Sequence, residues 1–162
     1  MRRFIAFYFI FLGGLFVLFN ASSWQLTQVL NDMQTNLTLQ VLKLFLRPEQ
    51  LQGVDIWINP HYKIIITKAC NGIIPILFLY AAILAYPSTV KHKIVWMIFG
   101  YGLFFMVNIV RILWVVFMTQ NGEGKGDFYW SHDIIGNIFL LLTGLGLFVS
   151  FIKSSTKKVK NL

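Results

Sequence analysis

Three side chains in this sequence have the chemistry to form and break an acyl bond: the single cysteine Cys70, Arg111 inside an apolar run, and His132 at the head of another. A thiolate is a strong nucleophile, an imidazole moves protons near neutral pH, and a guanidinium can hold a developing oxyanion. In concert, Cys70 would attack a peptide carbonyl and His132 would carry the proton from thiol to leaving amine. Arg111 would hold the oxyanion or the substrate backbone. The product is a thioester acyl-enzyme, which water resolves in proteolysis and an amine acceptor resolves in transpeptidation. A cation near Cys70 would also favour the thiolate, drawing a reference pKa of about 8.5 towards neutrality.

Each residue has a plainer reading. A lone cysteine at the start of an apolar helix is commonly a small buried hydrophobe, and a histidine at a helix entrance is often interfacial. The arginine shifts that balance, because a charge in an apolar helix carries an insertion penalty of about 2.5–3.5 kcal/mol and faces protein or water for a purpose. Asn108, three residues before Arg111, shares its helical face and offers a polar partner. Asp133 points about 100° from His132 on a helix, so the group that would orient the imidazole is unassigned, and Ser131 is the expected N-cap. His61 and His92 read as turn and loop residues. The glycine-rich run 122–126 lacks the spacing of a phosphate loop, and Gly100 and Gly102 read as helix-packing glycines rather than a channel filter. One cysteine and scattered histidines leave no metal site, and no cofactor is expected.

The elements that must position these residues are membrane helices. Of the 162 residues, 57% are hydrophobic and 12% charged, with a mean hydropathy of +0.67, far more apolar than one soluble core requires. Nucleic acid is excluded as a partner despite a net charge of +8, because the basic residues flank apolar runs, where they meet lipid headgroups. Four apolar segments, 4–19, 72–86, 94–118 and 134–152, predict an all-α membrane protein with a bundle of about four transmembrane helices. Arg2, Arg3, Lys91, Lys93 and the tail lysines Lys153, Lys157, Lys158 and Lys160 fall on one side, which the positive-inside bias makes cytoplasmic, with both termini there. Cys70, Arg111 and His132 then share the opposite face, provided the second segment crosses.

The chain divides into a first segment or signal anchor (1–23), an external segment (24–69), a three-helix catalytic region (70–152) and a basic tail (153–162). In the external part, Leu26, Val29, Leu30, Met33, Leu37, Val41 and Leu44 recur at helical spacing and predict an amphipathic helix lying on the outer interface. Past Arg47-Pro48, the stretches 54–58 and 62–67 around Asn59-Pro60-His61 predict a short hairpin.

Through Ala69-Cys70-Asn71-Gly72, Asn108-Ile109-Val110-Arg111 and His132-Asp133, in that order and over roughly residues 50–150, the chain resembles the exosortase and archaeosortase family. The resemblance implies a multi-pass enzyme of the bacterial inner membrane that processes C-terminal sorting signals of exported proteins, typically of the PEP-CTERM kind. It makes Cys70 the nucleophile, with Arg111 and His132 completing the catalytic set; Asn71 and Asn108 are the expected substrate-binding residues. With one span before the cysteine, the chain is similar to compact forms such as exosortase H. Its expected partners are the lipid bilayer and membrane-anchored export substrates. The rival reading is a non-enzymatic scaffold that packs partner helices through Asn108 and Arg111.

Overall fold

The computed structural model describes residues 2–20, 25–66, 72–121 and 136–160. In chain order they form α1 (Arg2–Asn20), α2 (Gln25–Leu42), β1 (Leu51–Gln52), β2 (Asp55–Asn59), β3 (Tyr62–Ile65), α3 (Ile73–Ala85), α4 (Val90–Asn121) and α5 (Gly136–Lys160). The protein is a helical membrane protein, as the sequence predicts. Three stretches, Arg2–Phe19, Val90–Gln120 and Gly136–Thr156, are long and apolar enough to cross a bilayer. The second predicted segment is the short helix α3, whose 13 residues rise about 20 Å against a hydrocarbon core of about 30 Å.

α3 is short because it is central. It packs on α1, α4 and α5, and Ile76, Leu77, Leu79, Ala81, Ala82 and Ile83 are all buried. α3 and α4 run antiparallel from the tight connection at residues 86–89. Lys93 Nζ donates to the Leu84 carbonyl at 2.6 Å, satisfying one of the end carbonyls of α3. Further along, Tyr80 Oη donates to the Met97 carbonyl at 3.0 Å. Gly100 then lies against Leu79, where a Cβ would come within 2.9 Å of Leu79 Cδ2. That close approach is the packing role expected of glycine here, but Gly102 is exposed and a Cβ on it would meet nothing within 4 Å. α5 is antiparallel to α4 in its turn: His92 meets Ser154, Phe104 meets Gly144, and Arg111 meets Gly136.

One end of this bundle gathers the basic residues. Phe4, beside Arg2 and Arg3, packs edge-on to Tyr86 and stacks on Phe148, and Lys91, Lys93 and Lys153 lie on the α4 and α5 turns at the same end. His92 is the unexpected member. It is not a loop residue but lies in the first turn of α4, 7% exposed and stacked on Phe151. Lysines at 91 and 93 interrupt the hydropathy signal without interrupting the helix, since Lys91 is exposed and Lys93 reaches back to the Leu84 carbonyl. Ser88 Oγ and Ser154 Oγ lie 3.0 and 2.9 Å from its two ring nitrogens, and Ser155 Oγ donates to Ser88 Oγ at 3.0 Å. These bonds tie the α3–α4 connection to the end of α5.

At the other end α4 outruns its neighbours. Its 32 residues span about 48 Å, and Ile112, Val115 and Val116 pack into a second core with Leu42, Ile56, Ile64 and Ile66. The strands of that core form a three-stranded antiparallel sheet in the order β1-β2-β3. The predicted hairpin is present with the predicted turn, where the His61 amide donates to Asn59 Oδ1 at 3.0 Å. β1 adds a strand through a turn at Gly53, whose φ of 63° suits glycine.

α2 is a helix as expected, but its orientation differs from the usual amphipathic rule. Asn31, Gln34, Thr38 and Leu42 form its buried stripe, while Val29, Met33, Leu37 and the following Leu44 are exposed. The exposed face is mixed, since Asp32, Asn36 and Gln40 lie on it as well. Gln34 accepts a hydrogen bond from Tyr101 Oη at 3.4 Å, joining α2 to α4.

His92→Phe should remove the two hydrogen bonds that join the half-buried Ser88 and Ser154 through the imidazole and destabilise the protein by about 1 kcal/mol. Thermal unfolding in detergent measures this; a midpoint equal to wild type would contradict the role of the serine–histidine cluster.

Candidate functional site

Arg111 and Asn108 stand one helical turn apart on α4, 6% and 1% exposed, at the level where the two cores meet. Arg111 Nη1 donates to Asn108 Oδ1 at 3.4 Å. A buried cation needs such oxygen contacts, because hydrocarbon offers none.

Two glycines make room for this pair. Gly72 precedes α3 in the left-handed region, φ 68° and ψ 17°, where a side chain would cost about 1–2 kcal/mol. A Cβ there would stand 3.4 Å from Asn108 Cγ and Oδ1, so the backbone entering α3 lies directly on the asparagine. Gly136 opens α5, and a Cβ on it would fall 2.5 Å from Arg111 Nε and 3.1 Å from Cδ. The arginine therefore crosses the α5 backbone through a slot that only glycine leaves open. The first turn of α3 also presents amide N–H groups without intrahelical acceptors, and its partial positive charge adds to that of the guanidinium. Arginine, helix end and asparagine together form a place where negative charge on a reacting group would be stabilised.

Of the residues singled out from the sequence, the structure brings Arg111 and Asn108 together as their spacing requires. Cys70, Asn71, Ser131 and His132 lie outside the described residues. The described chain nearest to them is Gly72, two residues after Cys70, and Gly136, four after His132. Sequence reasoning missed Gly136. Its one signal is a residue without a side chain four positions from a candidate catalytic histidine, and no periodicity rule reads that as a slot for a distant arginine.

The family model for transmembrane exosortases matches residues 1–149. No curated protein and no solved structure matches the chain.

Gly136→Ala should fold yet expel the guanidinium from its slot. Arginine modification by phenylglyoxal with peptide mass mapping tests this: Arg111 should be protected in wild type and labelled several-fold faster in the variant. Equal labelling would mean that Gly136 does not hold Arg111 in place.

Proposed function

The chain belongs to the transmembrane exosortase family, and on that premise we propose that it is a cysteine peptidase or transpeptidase acting on the C-terminal sorting signals of exported, membrane-anchored proteins. The observation that carries this reading is the seating of Arg111. The buried pair Arg111 and Asn108 rests on two glycines: Gly136, four residues after His132 in the sequence, lies against the guanidinium, and Gly72, two after Cys70, lies against Asn108.

In the proposed reaction the Cys70 sulfur attacks the carbonyl carbon of the scissile peptide, and His132 takes the thiol proton. Arg111 holds the oxygen that gains the negative charge. The tetrahedral intermediate collapses to a thioester as the C–N bond breaks, and His132 gives its proton to the departing amine. Water then yields a free carboxylate; an amine acceptor yields a new amide. Either route returns the thiol. Asn108 fixes the guanidinium, and with Asn71 it hydrogen-bonds the substrate backbone.

The same reading orients the molecule. The arginines and lysines of α1, the first turn of α4 and the end of α5 collect at the end away from Arg111, and the positive-inside bias makes that end cytoplasmic. Both termini are then cytoplasmic and the site faces the outside of a bacterial inner membrane.

The test is co-expression with a tagged protein bearing a C-terminal sorting signal, comparing wild type with Cys70→Ala, Arg111→Ala and His132→Ala at matched membrane levels. Cys70→Ala should abolish processing, and Arg111→Ala should slow it by about 10²–10³, the usual loss for one oxyanion donor. Processing by Cys70→Ala at the wild-type rate would overturn the enzyme reading and leave Asn108 and Arg111 as contacts between helices.

A further inference from the structure

The sheet has two edges, and they differ. β1 is two residues long, whereas β3 runs four residues, Tyr62–Ile65, with no strand beyond it among the described residues. Its register decides which main-chain groups are satisfied. The Ile66 amide donates to the Val54 carbonyl at 2.9 Å, and the pairing continues with Asp55 opposite Ile65, Ile56 opposite Ile64 and Trp57 opposite Lys63. Bonded and unbonded pairs alternate along an antiparallel ladder. Ile64, like Ile66, therefore turns its N–H and C=O to β2, while Lys63 and Ile65 turn theirs away. Both residues are exposed, and among the described residues no hydrogen bond satisfies their outward main-chain groups. Proteins commonly guard such an edge with a charged side chain, lysine above all. Lys63 is placed to do so and does not. Its Nζ is held 2.5 Å from Asp55 Oδ2 and 5.4 Å from the centre of the Trp57 ring, on the sheet face opposite to Ile56 and the core.

The edge also leads to the site. Ile64 and Ile66 share a core with Ile112, the residue after Arg111, and the chain that leaves β3 enters α3 at Gly72, against Asn108. We propose that the free edge of β3 holds the main chain of the substrate: the segment before the cleaved bond adds as a further strand, parallel to β3, with its carbonyl end towards Arg111. The inference rests on the peptidase reading and adds how the substrate is gripped. A helix engages its own carbonyls, so a peptide bond open to attack has to be presented in an extended segment. Extended main chain needs partners for its N–H and C=O groups, and beside a bilayer water does not supply them all. Lys63 and Ile65 offer two donors and two acceptors in the spacing of a strand. The direction follows from the chain. β3 runs from the turn at Asn59-Pro60-His61 towards Gly72, and a segment whose last carbonyl reaches Arg111 runs the same way. Recognition through the main chain tolerates many sequences, and side chains are selected only at alternate residues, those that lie beside Ile65 on the exposed face.

A main-chain contact is tested by changing the main chain. Ile65→Pro removes an N–H that β2 does not use and puts ring atoms in its place, whereas Ile65→Thr keeps both the amide and the β-branch. Processing of a tagged protein bearing a C-terminal sorting signal is followed for each, with thermal unfolding in detergent as the control for folding. Ile65→Pro should lower processing by about tenfold or more, and Ile65→Thr should leave it near wild type. Wild-type processing by a folded Ile65→Pro, or an equal loss in both variants, would overturn the proposal.

Cross-linking decides the matter should proline unfold the sheet. Cys70→Ala removes the only thiol of the chain, so Lys63→Cys or Ile65→Cys added to it places one thiol on β3. Each is co-expressed with substrates carrying one cysteine at successive positions before the cleaved bond, and disulfides are formed by mild oxidation. Alternate positions should be trapped, and Lys63→Cys should take positions farther from the bond than Ile65→Cys does. Absence of cross-links, consecutive positions trapped alike, or the reverse order would overturn the added strand. So would disulfide dimers of Ile65→Cys in place of substrate adducts, since a second copy of the chain would then occupy the edge. Failure of the wild-type chain to process any substrate would instead overturn the peptidase reading, while the cross-links, formed without catalysis, still report on the edge.

Discussion

A guanidinium buried among apolar helices is the constraint on which the rest of this structure depends. Charge inside a bilayer is tolerated only where oxygen atoms, helix ends or water replace its hydration. Arg111 has Asn108 of its own helix as an oxygen partner and lies against the start of α5 at Gly136, while the start of α3 lies against Asn108. The demand propagates outward. α5 must have glycine where the arginine crosses, and the chain must enter α3 beside Asn108 through a left-handed residue. α3 is too short to span a bilayer alone, and it is held by burial against α1, α4 and α5.

α4 is the spine of this arrangement. One part of it packs in the bundle, where tight packing and hydrogen bonds rather than water exclusion hold helices together. The remainder carries Ile112, Val115 and Val116 into a core with the sheet, where burial of each aliphatic side chain away from water contributes about 1.5–3 kcal/mol. Arg111 sits at the change from one regime to the other. At the basic end, the His92 cluster and the aromatic contacts of Phe4, Tyr86 and Phe151 anchor the same helices, so both ends of α4 are held by polar contacts within apolar surroundings.

Much of the fold was legible because hydropathy reports lipid contact directly. The four apolar segments, the hairpin around Asn59-Pro60-His61 and the pairing of Asn108 with Arg111 all follow from periodicity, turn chemistry and the cost of buried charge. What failed to show has physical causes too. His92 looked like a loop residue because adjacent lysines mask a helix start. The buried stripe of α2 is polar at Asn31, Gln34 and Thr38, which apolar periodicity does not reveal; Gln34 is turned inward to Tyr101 of α4. Gly136 was invisible because its value lies in the absence of atoms, and only the path of Arg111 reveals it.

In the proposed function acyl transfer passes through the Cys70 sulfur. Intact-protein and peptide mass spectrometry of the purified chain, quenched in acid during turnover of a sorting-signal substrate, tests it most directly. The account predicts a hydroxylamine-sensitive adduct on the peptide containing Cys70, equal in mass to the acyl part of the substrate, that accumulates far more slowly in Arg111→Ala. Turnover at the wild-type rate with no adduct on Cys70 at any time point would contradict it.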